Sequence, residues 1–384
     1  MTSDSKEYLN SILAEVAKDQ HIEEWIMTQK SFVSVADNFF GVVVPVALTG
    51  KVDHSRDAEL DLVVKLGPEA NEAVNKFFNR ECFVYSTVLR NYESLQTNFS
   101  ETSKFVIPKH YFICTEPGRE AIVLENMCCK GYQPHCGGPF LDYEHMDIAM
   151  KSLAKFHALS FMMRRTDNAL YKNIAEKCVS ISYTGILLDN LENAKKLLDD
   201  RYTPVIQYLE DNCLRLLKAP YQEVKELVIC HGDLWKDNIL FKYNNQNQPV
   251  SACLIDYQTS RMRSPAYDII YLLITSSTQD LRRIHYQQLL DIFYDTFQKM
   301  LEEGGLSAQV YSREDLEYDL KVSAASCLIV TNTVMWISLG LQEEGGIVKP
   351  KKVLTSEREK EEAKEKFKGI VQGIIDDFKR LGYL

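Results

Sequence analysis

One short segment constrains the fold and the chemistry of this chain more than any other feature. Residues 228–241 read Val-Ile-Cys-His-Gly-Asp-Leu-Trp-Lys-Asp-Asn-Ile-Leu-Phe, so two apolar β-type runs enclose a polar loop. Asp233 and Asn238 stand in that loop in the pattern Asp-x-x-x-x-Asn, and a later apolar run ends at Asp256. This frame predicts that a tight loop and a neighbouring strand present the three side chains to one cleft.

These three side chains match the needs of phosphoryl transfer. A carboxylate such as Asp233 accepts or orients the attacking hydroxyl, while an amide and a second carboxylate hold Mg²⁺ against the phosphates. Mg²⁺ prefers hard oxygen ligands, which Asn238 and Asp256 supply. Asp and Asn also favour ordinary turns, which is the alternative interpretation of a lone Asp-x-x-x-x-Asn. Because His231, Gly232 and the later Asp256 stand in register with it, we predict Asp233 as the catalytic base and Asn238 and Asp256 as metal ligands.

Two upstream residues fit the same chemistry. Lys65 lies at the end of an apolar run over residues 60–66, which predicts a strand. Glu81 lies on a predicted amphipathic helix over residues 69–90, whose apolar residues recur at spacings of three and four. A strand-end lysine and a solvated glutamate would be the plain alternative. With the downstream motif present, we predict that Glu81 pairs with Lys65 and holds it toward the α- and β-phosphates of ATP.

The remaining nucleotide contacts are predicted from backbone segments. Glu125, Asn126 and Met127 follow a predicted strand over residues 121–124, where a hinge would offer backbone N–H and C=O groups to adenine. The chain has neither a Gly-x-x-x-x-Gly-Lys nor a Gly-x-Gly-x-x-Gly segment. We therefore place the phosphate-covering loop near residues 36–41, with Asp37, Asn38 and Gly41.

The distribution of strand and helix patterns divides the chain in two. Up to about residue 126 we predict a helical lead-in and then strands around one helix; their ranges are 5–30, 39–48, 60–66, 69–90, 109–114 and 121–124. Glycine and proline then cluster over residues 131–139. Beyond them the pattern is mainly helical, with two strands; the ranges are 142–163, 186–217, 239–243, 252–255, 266–303, 313–341 and 356–381. The expected fold is α+β and two-lobed, with a small β-rich N-lobe (1–127) and a larger, mainly helical C-lobe (128–384).

Composition narrows the class of protein. The 384 residues include 44 Lys and Arg against 54 Asp and Glu, a net charge of −10, which disfavours general nucleic-acid binding. The polar N-terminus lacks the apolar stretch of a secretory signal, and the apolar run at residues 39–48 is too short to span a bilayer. Ten cysteines are too few for a disulfide framework in a chain of this length. We expect a cytoplasmic protein without a membrane partner, as a monomer or weak dimer.

Nine segments together carry a family resemblance, and in chain order they are Ala36-Asp37-Asn38, Val64-Lys65, Glu81 with Phe83 and Tyr85, Val123–Met127, Leu153–Ala158, Cys230–Trp235, Asn238, Ile255–Gln258 and Ser264–Asp268. In this order they resemble the ecdysteroid kinase-like family of arthropods, also called the CHK-kinase-like group. That family lies within the aminoglycoside phosphotransferase and choline kinase branch of the protein-kinase-like fold. The resemblance covers about residues 30–340.

The resemblance implies ATP-dependent phosphorylation of a hydroxyl on a small molecule, with ecdysteroids as the namesake acceptors. Two positions depart from the family pattern: Ala36 replaces a glycine in the phosphate loop, and Tyr257 replaces a phenylalanine after Asp256. We therefore expect a Mg²⁺- and ATP-dependent kinase of an ecdysteroid or another apolar alcohol. The alternatives are a choline-, ethanolamine- or detoxification-type small-molecule kinase and a catalytically silent steroid-binding pseudokinase.

Several other residues invite interpretation. We predict that His157 is a core histidine that braces the catalytic loop, the loop that contains Asp233 and Asn238. His231 is predicted to hydrogen-bond backbone near Asp256, and Asp268 to hold the loop through backbone N–H groups. The apolar run around Trp336 is either plain core or one wall of an acceptor cleft. Four clustered linker residues do not have the spacing of a structural zinc site, and these are Cys128, Cys129, His135 and Cys136.

Overall fold

Two lobes of different architecture follow each other along the chain. The computed structural model describes residues 3–30, 42–67, 72–179, 184–342 and 353–384. The first lobe is built on a five-stranded antiparallel sheet and the second is mainly helical. The predicted two-lobed α+β fold is therefore confirmed, while the division at residues 127 and 128 stays a prediction.

The first lobe contains, in chain order, α1 (Ser3–Asp19), β1 (Glu23–Gln29), β2 (Val42–Val52), β3 (Arg56–Leu66), α2 (Glu72–Phe83), a π-helical turn (Val84–Leu89), α3 (Arg90–Leu95), β4 (His110–Cys114) and β5 (Ala121–Glu125). The sheet order is β1-β2-β3-β5-β4, and every neighbouring pair is antiparallel. Lys65 lies on the central strand β3, opposite Val43 of β2 and Ile122 of β5. One face of the sheet buries Val46, Val64 and Val123 against Leu13 of α1.

The predicted helical lead-in over residues 5–30 is wrong in its second half. Helix α1 ends at Asp19, and the chain turns at His21, whose φ of 55° is left-handed although it is not glycine. Strand β1 then begins at Glu23 and pairs with β2 at the edge of the sheet. Because an edge strand buries few side chains, its sequence lacks a clear strand periodicity.

The predicted helix over residues 69–90 is longer than its periodicity indicated. Its described part runs from Glu72 to Leu95 with a π-helical turn in the middle. That turn buries Tyr85 and Val88 in the large core that continues into the second lobe. Tyr92 of α3 is buried three residues after Leu89, so the spacing of three and four continues past the predicted end at residue 90.

The second lobe contains, in chain order, β6 (Tyr132–Pro134), α4 (Tyr143–Thr166), α5 (Asn168–Lys177), α6 (Thr184–Leu197), α7 (Thr203–Asp211), α8 (Cys213–Gln222), β7 (Val228–Cys230), β8 (Ile239–Tyr243), β9 (Pro249–Leu254), β10 (Arg261–Arg263), α9 (Pro265–Ser276), α10 (Gln279–Glu303), α11 (Arg313–Ser338) and α12 (Glu357–Leu381). Two small antiparallel sheets, β10-β7 and β6-β8-β9, frame the predicted catalytic loop. The sequence predicts helical segments over 186–217 with a break at Pro204; three helices, α6, α7 and α8, lie there, and Pro204 is in the first turn of α7. The predicted helix over 266–303 is divided into α9 and α10. The three-residue strands β6 and β10 went unpredicted because so few residues carry no periodicity.

Helix α9 lies at the centre of the second lobe. All twelve of its residues are buried, and α4, β7 and α11 surround it. The segment Ala308–Ser338, which includes α11, is long and apolar enough to cross a membrane by length and composition, but 72% of its most apolar window is buried inside this fold. Burial of that kind is typical of a core helix. The loop that follows β7 therefore lies against the fully buried helix α9.

Candidate active site

The backbone of the loop after β7 is held by one buried carboxylate. Asp268 of α9 accepts hydrogen bonds from the backbone N–H of His231 at 2.7 Å and of Gly232 at 2.9 Å. Gly232 has a φ of +85°, and a Cβ there would clash with the carbonyl oxygen of Thr259. The loop therefore needs glycine at this turn. The predicted hydrogen bonds of Asp268 to the loop are confirmed.

Asp268 is balanced by a histidine. The Nε2 atom of His157 lies 3.0 Å from Asp268 Oδ2, and neither side chain is exposed to solvent. Burial acts to raise the pKa of Asp268, but the hydrogen bond and charge of His157, with further help from His231 and the Gly232 N–H, bring that pKa below its ordinary value. His157 thus braces the loop through Asp268, as predicted.

Asp233 projects from this fixed loop and is held by two side chains. Tyr271 donates its hydroxyl to Asp233 Oδ1 at 2.6 Å, and Asn238 Nδ2 lies 3.4 Å from Oδ2. Burial raises the pKa of Asp233, the Tyr271 hydrogen bond opposes that rise, and the charge of Asp256 adds to it. The Asp233 carboxylate is thus partly desolvated, and its Oδ1 atom is occupied by the hydrogen bond from Tyr271.

The two predicted metal ligands are joined through the backbone. Asn238 donates Nδ2 to the carbonyl oxygen of Asp233 at 2.8 Å, which leaves its side-chain oxygen as the atom available to a cation. The carbonyl oxygen of Asn238 accepts from the Ile255 N–H at 3.0 Å, and the Ile255 carbonyl lies 2.9 Å from His231 Nε2. This last contact confirms the predicted role of His231.

Asp256 has an unusual backbone. Its φ of 69° and ψ of 63° are left-handed, a conformation that costs a non-glycine residue on the order of 1–3 kcal/mol. Its two carboxylate oxygens are directed to different partners, with Oδ1 3.2 Å from Lys65 Nζ and Oδ2 3.2 Å from Gln258 Nε2. Strain of this kind persists where the surroundings impose it, and here it accompanies the contact of the carboxylate with Lys65 of the first lobe.

Lys65 joins the two lobes. Its Nζ lies 2.6 Å from Glu81 Oε2, as predicted, and also contacts Asp256. Burial acts to lower the pKa of Lys65, but the charges of Asp256 and Glu81 outweigh it and the pKa is raised. Burial raises the pKa of Glu81, with the Lys65 charge opposing and that of Asp256 reinforcing the rise.

The charge balance of these groups suits a divalent cation. Glu81, Asp256 and Asp233 bring three carboxyl groups, against the ammonium group of Lys65 and the nearby guanidinium group of Arg261. Buried negative charge in excess is costly unless a cation compensates it. The carboxylate of Asp256 and the amide oxygen of Asn238 are the hard oxygen donors that Mg²⁺ prefers. The residues present therefore fit the predicted metal.

Helix α2 is attached to the second lobe beside Glu81. Arg80 donates Nη1 to the carbonyl oxygen of Ser260 and Nη2 to that of Val179 at 3.1 Å. One turn later, the Tyr85 ring meets the Tyr257 ring edge-on at 5.5 Å. The Tyr257 hydroxyl, which the family pattern lacks, donates to the Leu254 carbonyl oxygen at 3.1 Å and is satisfied.

Sequence reasoning missed Arg80 and Tyr271 as residues of this site. Tyr271 stands three residues after Asp268, on the same face of a helix, and that spacing is a signal that could have drawn attention to it. Arg80 had no comparable signal, because its partners are backbone carbonyl oxygens far away in sequence.

The predicted hinge uses some of its backbone within the protein. The N–H of Glu125 donates to Lys109 O at 2.8 Å, and the N–H of Asn126 donates to Asp61 O at 2.9 Å. Met127 is buried and packs with Tyr132 and Cys253. The adenine contact therefore rests on the remaining backbone groups of this segment and stays a prediction.

Other predicted residues have separate outcomes. Asp37, Asn38 and Gly41, together with Ala36, lie outside the described residues, so the phosphate loop stays a prediction. Trp336 packs edge-on against Phe367 of α12, at 5.1 Å between ring centroids, and so serves at least as core. Within the described ranges, one His/Cys/Asp/Glu group is close enough to share a metal ion, and it is not the linker set but the loop-bracing trio of His157, Cys230 and Asp268.

Comparisons with known proteins now identify the family. A model of the ecdysteroid kinase-like family matches residues 35–306. A kinase-like protein of Caenorhabditis elegans is 26% identical over 204 residues, which are 51% of this chain and 52% of that protein. The chain thus spans about half the length of the curated relative that it matches.

Solved structures with similarity include a choline/ethanolamine kinase family protein of Mesorhizobium loti, with 12% identity, 98% of each chain covered and a TM-score of 0.49. Choline kinase LicA of Streptococcus pneumoniae has 13% identity over 96% of this chain and 99% of its own, with a TM-score of 0.40. Both TM-scores lie below 0.5, and the family match carries the assignment. The chain belongs to the ecdysteroid kinase-like family.

Proposed function

We propose that this protein transfers the γ-phosphoryl group of ATP, with Mg²⁺, to a hydroxyl of a small molecule. The observation that carries the proposal is the contact of Lys65 Nζ with both Glu81 and Asp256 beside the loop of Asp233 and Asn238. A lysine–glutamate pair, a metal-binding carboxylate and a loop aspartate are the parts that kinase-type phosphoryl transfer requires.

Each residue takes one part in the proposed reaction. Asp233 orients the acceptor hydroxyl and accepts its proton, and Lys65 places positive charge on the nucleotide phosphates. Asn238 and Asp256 would hold Mg²⁺, which when bound neutralises phosphate charge. Because the transition state of phosphoryl transfer is loose, alignment and charge contribute more than basicity. The rigid seat of the loop on α9 supports that role.

We propose an ecdysteroid or another apolar alcohol as the acceptor. The support is the family to which the chain belongs. Choline, ethanolamine or a detoxification substrate would use the same catalytic groups with a different pocket. A catalytically silent binding protein is disfavoured because Asp233, Asn238, Asp256 and Lys65 are all present with the contacts that catalysis needs.

The test is a mass-spectrometric acceptor screen. Purified wild-type protein is incubated with Mg²⁺, ATP and ecdysteroids, choline or ethanolamine. Two variants, each with one aspartate replaced by asparagine, are tested in the same way. Asp233→Asn removes the proposed base, whereas Asp291→Asn makes the same change on α10, where Asp291 pairs with Arg313. We expect a phosphate mass gain on an ecdysteroid that is lost with Asp233→Asn and kept with Asp291→Asn.

Other results redirect or overturn the proposal. A mass gain on choline alone keeps the reaction and removes the steroid acceptor. No transfer to any acceptor, together with no ATP-dependent shift of the melting temperature, contradicts the kinase proposal and favours a silent binding protein.

A further inference from the structure

Tyr271 is a buried side chain in contact with the proposed base. We propose that Tyr271 is a positioning residue for phosphoryl transfer, whose hydroxyl holds Asp233 Oδ1 and so presents Oδ2 to the acceptor hydroxyl. This inference rests on the proposed function and adds to it a residue from α9 that never touches the substrates.

The hydrogen bonds of Asp233 are unequal. The Tyr271 hydroxyl lies 2.6 Å from Oδ1, a distance typical of the strong hydrogen bonds between an O–H donor and a carboxylate. Asn238 Nδ2 lies 3.4 Å from Oδ2 but 2.8 Å from the backbone oxygen of Asp233, so its stronger bond is to the backbone. Among the described residues, Tyr271 therefore provides the strong hydrogen bond that sets the orientation of this carboxylate.

Tyr271 is itself held firmly. It is fully buried in α9, and its ring stacks on Tyr267 one turn earlier, at 6.1 Å and an interplanar angle of 10°. The Tyr267 hydroxyl accepts from Arg261 Nη2 at 2.8 Å, and the same Nη2 donates to the Gly232 carbonyl oxygen at 3.1 Å. Two tyrosines of one helix face thus reach the loop at adjacent residues, one through Arg261 and one directly.

Asp268 completes the arrangement from the same helix. It fixes the backbone N–H groups of His231 and Gly232, immediately before Asp233. Helix α9 therefore fixes both the backbone of the loop and the carboxylate of its proposed base, Asp233. Because the Asp233 carboxylate is already held in one orientation, it does not have to lose rotational freedom in each turnover.

A second interpretation is that Tyr271 is an ordinary buried tyrosine that only needs a partner for its hydroxyl. The chain offers a matched case. Tyr311 is also fully buried in this lobe and donates its hydroxyl to a buried carboxylate, Asp319 Oδ2, at 2.9 Å. Removing that hydroxyl breaks the same kind of bond at Asp319, which also accepts from Ser264 at the start of α9, and leaves the Tyr271–Asp233 bond in place.

The experiment compares Tyr271→Phe with Tyr311→Phe in the full chain. The assay uses ATP, Mg²⁺ and ecdysone, or choline if ecdysone is not phosphorylated by the wild type. Phe keeps the ring and its packing, so both variants should fold and melt within a few degrees of each other. We expect Tyr271→Phe to lower kcat about tenfold with unchanged KM for ATP and acceptor, and Tyr311→Phe to leave kcat unchanged.

A second measurement tests whether Tyr271 acts through Asp233. In the Asp233→Asn background, residual transfer at long incubation should be the same with Tyr271 and with Phe at this position, because the carboxylate is already gone. Unchanged kcat in Tyr271→Phe, or equal losses in both tyrosine variants, overturns the inference and leaves the proposed function standing. A wild type that phosphorylates no acceptor of the screen and shows no ATP-dependent shift of its melting temperature overturns both.

Discussion

The loop that carries Asp233 and the site around Lys65 are assembled in different ways. The loop of residues 231–238 is held by side chains of its own lobe, mostly from α9 and α4. Lys65 lies on the sheet of the first lobe, and it contacts Glu81 of α2 and Asp256 of the second lobe. The loop is therefore held within one lobe, whereas the Lys65 site forms only when the two lobes are placed so that Lys65 contacts Asp256.

This difference has an energetic consequence. A change in the loop's support removes hydrogen bonds of fully buried groups and should reduce stability and activity together. A change in the link between α2 and the second lobe affects the buried Lys65–Glu81 pair, in which Lys65 keeps Asp256 as a second partner, and the half-buried Arg80. It should reduce activity more than stability. Four predictions test this contrast, starting with the largest expected effect.

Replacing Asp268 tests the loop's support. In Asp268→Asn, one side-chain oxygen cannot accept both backbone N–H groups and also face His157, so the free energy of unfolding should fall by about 2–4 kcal/mol and transfer should be lost. Urea unfolding and the phosphotransfer assay measure both. Asp377→Asn is the control, because it breaks a buried pair with Arg282 away from the loop. Equal stability of Asp268→Asn and the wild type would contradict the contrast.

Replacing Glu81 tests the Lys65 site. In Glu81→Gln the amide oxygen can still accept from Lys65 but no longer compensates its charge, so Lys65 should shift toward Asp256. We expect kcat/KM for ATP to fall about 10- to 100-fold with little change in stability. Glu120→Gln, a buried glutamate whose side chain accepts from Gly118, is the matched control and should keep full activity. Full activity in Glu81→Gln would remove the pair from the mechanism.

Replacing Arg80 tests the link between the lobes. Arg80→Met keeps much of the apolar stem but removes the donors to the Ser260 and Val179 carbonyl oxygens. Because α2 then loses polar anchors while its apolar packing remains, kcat/KM for ATP should fall several-fold and stability by about 1 kcal/mol or less. Arg164→Met, which breaks the pair with Glu226, serves as control. A loss of stability as large as that of Asp268→Asn would show that the link between the lobes and the support of the loop contribute equally to stability.

The dependence of stability on pH gives the smallest effect. The pKa of Asp268 is below its ordinary value in the folded protein, so its contribution is fully present above the unfolded-state pKa of about 3.9 and is lost as pH falls through the folded pKa. The stability difference between the wild type and Asp268→Asn should therefore shrink below about pH 4. Urea unfolding of both proteins at neutral and acidic pH measures it, and a difference that grows on acidification would reverse the assigned direction.

The elements around the site were predictable to different degrees. Strand β3 and the loop after β7 were found because apolar runs end directly at polar residues. Strand β1 was missed because it lies at an edge, and β6 and β10 because three residues carry no period. The pairing of Lys65 with Glu81 was predicted from the order of strand and helix together with the downstream motif of Asp233, Asn238 and Asp256, and the structure confirms it.

What the sequence by itself determined is the chemical inventory and its order: Lys65, Glu81, Asp233, Asn238 and Asp256 on a strand, a helix and loops that local periodicity reveals. What only the tertiary structure decided is how these groups are held. Tyr271 against Asp233, Arg80 against Ser260 and the left-handed backbone of Asp256 all depend on contacts between distant segments. Local patterns report which face of an element is apolar, whereas the partner of a single polar atom is set by how the packed elements meet in space.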